Sequence, residues 1–249
     1  MQKLKRSSLI SSSIDRSSRR YTVLVLVVLA ISLGVVGSVD AQSKEQKARQ
    51  TVERSKLTIE TFQSDATFTR NYDGYLKTAK GFLIIPQMVK GAFIFGGSGG
   101  SGVLVARNEV AGGWTQPAFY TLGGVSFGLQ AGGQASETLI IVTNERGLNR
   151  LLNSGAKLGA DLSMAVGPIG EGVGTANITA DLIVFTRNKG LYGGVSVEGS
   201  VVDVRQSWNR AYFGEGLSPS DILIHGKGEN PHSDPLLEAV AKLTGAETE

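Results

Sequence analysis

Polar and apolar positions divide the chain into three stretches of different period. From Ser43 to Ala66 the residues Ala48, Val52, Ser55, Ile59, Phe62 and Ala66 recur at steps of four and three. That spacing predicts an amphipathic helix with one narrow apolar stripe. A second, shorter helix is expected over Asn71 to Lys80, carrying Tyr72, Tyr75, Leu76 and Ala79, with Gly81 ending it. From Gly81 to Gly216 the period falls to two, in runs at 82–85, 91–95, 102–106, 118–130, 138–143, 157–165, 176–186 and 191–204. Such runs of β-branched and apolar residues predict strands. Connections are mostly too short for crossover helices, so the sheet is expected to be antiparallel and meandering, with one helical insertion at Glu145 to Asn153. The period becomes helical again at Gln206 to Phe213, after Ser218-Pro219-Ser220-Asp221, and over Pro235 to Leu243.

Glycine sharpens this picture. The chain has 33 glycines in 249 residues, roughly twice the usual ~7%, and 27 of them lie between Gly81 and Gly216. Glycine inside successive strands marks bulges, bends and close backbone approach. The expected fold is α+β: a strongly curved, Gly-rich, mainly antiparallel sheet with an N-terminal amphipathic helix and C-terminal helices. The expected division is a leader over 1–41, one domain over 42–226 with its core at 79–216, and a C-terminal helical tail over 227–249.

Charge changes the reading at the N-terminus. The sequence pI is 9.1, but Lys3, Lys5, Arg6, Arg16, Arg19 and Arg20 form a basic region ahead of a 16-residue apolar run from Tyr21 to Val36. Val39-Asp40-Ala41 supplies the small residues of a cleavage site. The run is shorter than the ~20 residues that span a bilayer, so an exported protein, periplasmic or secreted, is expected. Inner-membrane anchoring by an uncleaved 21–36 is the alternative. Cleavage removes six of 25 basic and two of 22 acidic residues and leaves a net charge of −1. A chain so balanced is not a nucleic-acid binder by bulk charge.

Candidate chemistry is sparse. Gly97-Ser98-Gly99-Gly100-Ser101-Gly102 has the letters of a dinucleotide loop, but a strand follows where a helix N-terminus is needed, so a flexible hairpin between strands is expected. Two G-x-S-x-G strings, at Ser98 and Ser126, could be completed by Asp161, Asp181 or Asp203 and by His225, but neither serine stands on a strand-to-helix turn. His225 and His232, with no Cys, give no metal spacing and are expected as exposed loop residues. No catalytic residue, metal or cofactor is assigned, and the protein is expected not to be an enzyme. What remains is a basic surface: Lys44, Lys47, Arg49, Arg54 and Lys56 on the first helix, with Lys77, Lys80 and Lys90 bracketing the first strand. Such a cluster suits anionic lipid head groups, although alternating Glu and Lys/Arg suggest a solvated outer face over a stripe that covers the sheet.

From Ala79-Lys80-Gly81-Phe82-Leu83-Ile84-Ile85-Pro86 onward the sequence resembles the SYLF domain family. Trp114-Thr115-Gln116-Pro117-Ala118, Phe127-Gly128-Leu129-Gln130-Ala131-Gly132, Ala165-Val166-Gly167-Pro168-Ile169-Gly170, Lys189 to Ser200, and Asn209 with Tyr212-Phe213-Gly214 follow in order. The resemblance covers roughly residues 45 to 226. It implies an α+β module that binds phosphoinositides in eukaryotic members, aided by an N-terminal amphipathic helix, and binds actin in some. Many members are basic after Gly-Pro-x-Gly, where this chain has Glu171. The leading expectation is a non-enzymatic envelope protein that binds an anionic phospholipid membrane surface. The alternative is a structural or protein-interaction module with an envelope protein partner, met by strand edges or the Gly-rich 96–102 segment.

Overall fold

A computed structural model describes residues 43–92, 96–109, 111–126, 132–167, 178–188, 191–192 and 197–246. The expected leader over 1–41, the 127–131 stretch, Pro168 to Glu171 and most of 189–196 lie outside the described residues. Residues from Lys44 onward make one unit.

The first helix, α1, covers 43–63. Its stripe holds: Ala48, Val52, Ser55, Ile59 and Phe62 are all at most 2% exposed. Ala66 does not continue it. The chain breaks at Ser64-Asp65, and the Asp65 carboxylate accepts from the amides of Thr67 and Phe68, so Ala66 opens a new helix, α2 (Ala66–Thr78). That carboxylate satisfies two donors that the first turn otherwise leaves unpaired.

The strands are β1 (Gly81–Ala92), β2 (Gly96–Ala106), β3 (Ala118–Ser126), β4 (Gly132–Val142), β5 (Ala156–Lys157), β6 (Met164–Val166), β7 (Leu182–Asn188), β8 (Leu191–Tyr192) and β9 (Val201–Val204). Helix α3 (Glu145–Leu151) follows β4, and α4 (Gln206–Phe213), α5 (Pro219–Leu223) and α6 (Asp234–Leu243) close the chain. Among the described residues the strands form a single sheet in the order β5-β9-β3-β2-β1-β4-β7-β6, with β8 on β7. The sheet is curled into a half-barrel. All pairs are antiparallel except β6 with β7.

The connectivity is not the expected meander. Strand β4 returns beside β1, and β9 returns beside β3, giving the Greek-key order 3-2-1-4. Burial explains the choice. Strand β1 carries Phe82 and Ile84 on one face and Leu83 and Ile85 on the other, all fully buried. A strand apolar on both faces belongs inside a sheet, whereas a meander would leave it at an edge. One face of the sheet packs on α1, α2, α4 and α6, and the other on α3 and α5. Helix α6 buries Leu236, Val240 and Leu243 in the first of these cores, so the segment after residue 226 is part of the domain's packing.

Two long runs are broken by turns. The 157–165 run splits at Gly159, whose φ of +87° suits glycine, and Asp161 ties the turn by accepting from the Lys157 amide. The 191–204 run splits in the same way at Gly199, φ +76°. The opposite correction applies at 96–102, which is not a hairpin loop but the first half of β2, paired with both β1 and β3.

Strand β1 holds an extra residue around Pro86: three residues advance from Ile84 to Gln87 against two on β2, and likewise from Ile85 to Met88 against β4. A proline cannot donate to the ladder, and a bulge is where a central strand tolerates it. The bulge leans into β2. A Cβ at Gly102 would lie 2.0 Å from the Ile84 carbonyl oxygen, and one at Gly100 would lie 2.6 Å from that of Gln87.

Candidate functional site

The bulge turns Gln87 toward α1, where its Oε1 accepts a hydrogen bond of 3.0 Å from Arg54 Nη1. This bridge stands in a groove between α1 and the sheet and divides it into two cavities. The larger, about 510 Å³, is walled by Arg54, Leu57, Thr58 and Thr61 of α1, Pro86 and Gln87 of β1, Ala135, Ser136 and Glu137 of β4, and Arg187 of β7. The smaller, about 350 Å³, lies toward the start of α1 against Lys47, Gln50, Thr51, Val89, Gly99 to Ser101 and Trp208.

Its charge is mostly positive. Arg187 faces Glu137 at 3.8 Å, beyond hydrogen-bond range. Arg205 stacks 3.8 Å over Trp208 and donates to the Ser101 hydroxyl at 2.5 Å, and burial pulls its guanidinium pKa down. Four of the large apolar side chains are exposed among the described residues, and two of them, Leu57 and Val89, flank Arg54. Thr58 is 1% exposed, and its hydroxyl has no hydrogen-bond partner.

The eight basic residues singled out in the sequence do not form one surface. Arg49 pairs with Glu45 at 2.9 Å, Lys56 with Glu60 at 2.7 Å and Lys77 with Asp73 at 2.9 Å, each one turn apart on its own helix. Lys44 is half-buried at the start of α1 and has a partner of its own. Lys80 lies between Glu109 and Glu145, which raise its pKa. Lys90 stands ten residues further along β1, between Ser98 and Gln134 in the ladder; its side chain is outside the described residues. At ~3.3 Å per residue the two lysines are about 30 Å apart, at opposite ends of the strand. Of those whose side chains are described, only Lys47 and Arg54 line the groove. Gln87, Arg187, Thr58 and Leu57 complete it, with Arg205 held on the lining residues Ser101 and Trp208, and none of these five was singled out.

The discounted chemistry stays apart. Ser98 is mid-strand in β2 and Ser126 ends β3. Asp181 is 3% exposed and ties β7 to its neighbours by accepting from Ser163 N and Oγ, Asn144 Nδ2 and Arg146 Nη1. Burial pushes the Asp181 pKa up, but the two Ser163 donors, Asn144 and the Arg146 charge together hold it below the usual carboxylate range. His225 is exposed. His232 is not, contrary to expectation: its ring bridges the Tyr212 hydroxyl and Glu53 of α1, both at 3.2 Å. The aromatic packing around Tyr212 explains the difference, since Phe119, Phe213 and His232 all pack edge-on against its ring.

Comparison with known proteins bears on this architecture. Residues 123–243 match the family model Ysc84, described as "Las17-binding protein actin regulator". Protein YSC84 of Saccharomyces cerevisiae is 33% identical over 169 residues, 65% of this chain and 36% of that protein. The SH3 domain-containing protein PJ696.02 of Schizosaccharomyces pombe is 34% identical over 65% of this chain and 38% of its own length. The human SH3 domain-containing YSC84-like protein 1 is 31% identical over 67% and 49%. The chain therefore spans less than half the length of these relatives. On these matches the chain carries a domain of the Ysc84 family, the family of the SYLF domain.

Proposed function

We propose that the chain is a non-catalytic binding module, exported to the cell envelope, that associates with anionic phospholipid through the mouth of the groove beside α1. One observation carries the reading: Lys47 and Arg54, cations that no acid pairs among the described residues, line the groove together with the exposed side chains of Leu57 and Val89. Cations meet head groups while neighbouring apolar side chains enter the interface. At about 1 kcal/mol per cation near an anionic surface, two cations contribute roughly 2 kcal/mol, a weak and salt-sensitive attraction. The contact differs from an inserted helix, because the apolar stripe of α1 is spent on the sheet.

Co-sedimentation with liposomes of graded anionic content, at two salt concentrations, tests this. Binding is expected to rise with anionic lipid, fall with salt, and weaken in Lys47→Glu and Arg54→Glu but not in Lys80→Glu. No sedimentation with any liposome refutes it. A second reading, a protein partner at the same groove, is favoured by the name of one relative, LAS seventeen-binding protein 3, 32% identical over 66% of this chain. In that case the two groove variants lose the partner and liposomes leave the protein in solution.

A further inference from the structure

Helix α1 shows the groove a second stripe beside its buried one. Lys47, Thr51, Arg54, Thr58 and Thr61 line the two cavities at steps of four, three, four and three, so one unbroken helix face forms the wall. At ~1.5 Å per residue that wall is about 21 Å long, the span of about six residues of extended chain at ~3.3 Å each. The opposite side is sheet, and at Gly99 it is bare. Gly99 lies on the face of β2 that also carries Val103 and Val105 into the core beneath α1. Its φ is not positive, and a Cβ there would meet nothing nearer than the Leu122 carbonyl oxygen at 3.7 Å. Neither backbone nor packing demands glycine at this position, and the missing side chain leaves the groove open along its length.

Charge and apolar surface select the occupant. Lys47 and Arg54 have no acidic partner among the described residues and stand seven residues apart, about 10 Å along the helix. Glu137, the one acid lining the groove among the described residues, meets Arg187 only at 3.8 Å. Leu57 and Val89 are 57% and 48% exposed beside these cations. Gln87 accepts from Arg54 through Oε1, which leaves its Nε2 hydrogens for a peptide carbonyl. A bilayer surface is broad and meets the rim, whereas a single chain can follow the floor. We infer that the groove between α1 and strands β1, β2 and β4 docks an extended acidic segment of a partner protein, its carboxylates on Lys47 and Arg54 and its apolar side chains on Leu57 and Val89. The two carboxylates stand about three residues apart in such a segment. The inference rests on the second reading above, a protein partner at the groove, and names the chemistry of that partner.

Fluorescence anisotropy of a labelled, capped hexapeptide, Glu-Leu-Ser-Glu-Leu-Ser, titrated with the protein tests the site. Saturable one-to-one binding is expected, at least tenfold tighter than for the same peptide with lysine at both glutamate positions and severalfold tighter than with serine at both leucine positions. Arg54→Glu should weaken it at least tenfold. Gly99→Leu, which fills the groove and alters no charge, should do the same while leaving phosphatidylglycerol liposome binding as it is in the parent. Lys56→Gln, at a lysine paired with Glu60, should change nothing. The circular dichroism spectrum of each variant checks folding. Equal binding of the acidic and lysine peptides, or peptide binding that survives Gly99→Leu, overturns the inference. Liposome binding that Arg54→Glu abolishes, with no peptide bound, overturns it in favour of the membrane reading. A partner protein held by the parent and lost in Arg54→Glu, again with no peptide bound, overturns the linear acidic segment and leaves the partner reading standing. Failure of peptide, liposomes and partner alike overturns all three.

Discussion

Gly102→Ala places a methyl carbon 2.0 Å from the Ile84 carbonyl oxygen and 2.6 Å from Ile85 Cδ1. Ordinary contact needs about 3.5 Å, so the strands must part by about 1.5 Å. Neither can yield cheaply, because β1 is hydrogen-bonded between β2 and β4 and its side chains fill both cores. Overpacking costs about 1–3 kcal/mol, and losing two ladder bonds adds about 1 kcal/mol each, for a total of about 3–5 kcal/mol. In a domain of this size 1 kcal/mol moves Tm by about 2–4 °C, so Tm should fall by about 6–20 °C. Gly99→Ala, three residues away on the same strand, is the control. Its Cβ would meet nothing nearer than the Leu122 carbonyl oxygen at 3.7 Å, and its φ is not positive. Lower entropy in the unfolded chain should stabilise it by about 0.4–1 kcal/mol, a rise of about 1–4 °C. Thermal melts followed by circular dichroism measure both. If Gly102→Ala melts within about 2 °C of the parent, or if both variants fall alike, the bulge is not what demands glycine.

The lowered pKa of Asp181 means that its stabilisation is full above the unfolded aspartate value of about 3.9 and is lost as pH falls through the lower folded value. Urea midpoints between pH 5 and 2.5 should therefore drop less steeply in Asp181→Asn, which starts from a lower stability at pH 5. Phe185 packs on Phe68 at 5.0 Å and on Tyr72 at 4.6 Å between ring centroids, so Phe185→Ala should cost about 3–5 kcal/mol, read as a shift in the urea midpoint. The proposed export predicts that the mature protein lacks residues 1–41 by intact mass; a mass that retains them removes the cleavage site at Ala41.

The helices were legible because their period survives one mutation of character at a time. The four-three spacing shows the buried stripe of α1 in the sequence, and only Ala66 departs from it, where Asp65 caps a new helix instead. The half of β2 rich in glycine was not legible, since glycine has no side chain to show a period of two. Its strand geometry comes from β1 and β3 on either side. Strand order was hidden for another reason: β1 pairs with β4 across about 50 intervening residues, a choice made by burial on both faces and by no local signal. The groove is hardest of all. Arg54, Gln87, Glu137 and Arg187 come from four elements, and only the folded sheet brings them together. Two clues were present, Leu57 standing apolar outside the helical stripe and Pro86 interrupting a strand-like run.

The pairing of β3 with β9, Tyr120 opposite Val204, sets an order of events during synthesis. Once Tyr120 of β3 has emerged, its outer edge has no neighbour until Val204 arrives, 84 residues later. At 5–20 residues per second that wait is about 4–17 s. For that time an unpaired strand, Ala118–Ser126, offers its backbone to any other nascent chain. The Asn209 side chain, which accepts from the Phe119 amide, arrives only after β9 and locks the edge shut. Crowded translation of this protein is thus the stage at which strand-swapped assemblies are expected, and slowing the ribosome between codons 126 and 204 should increase them.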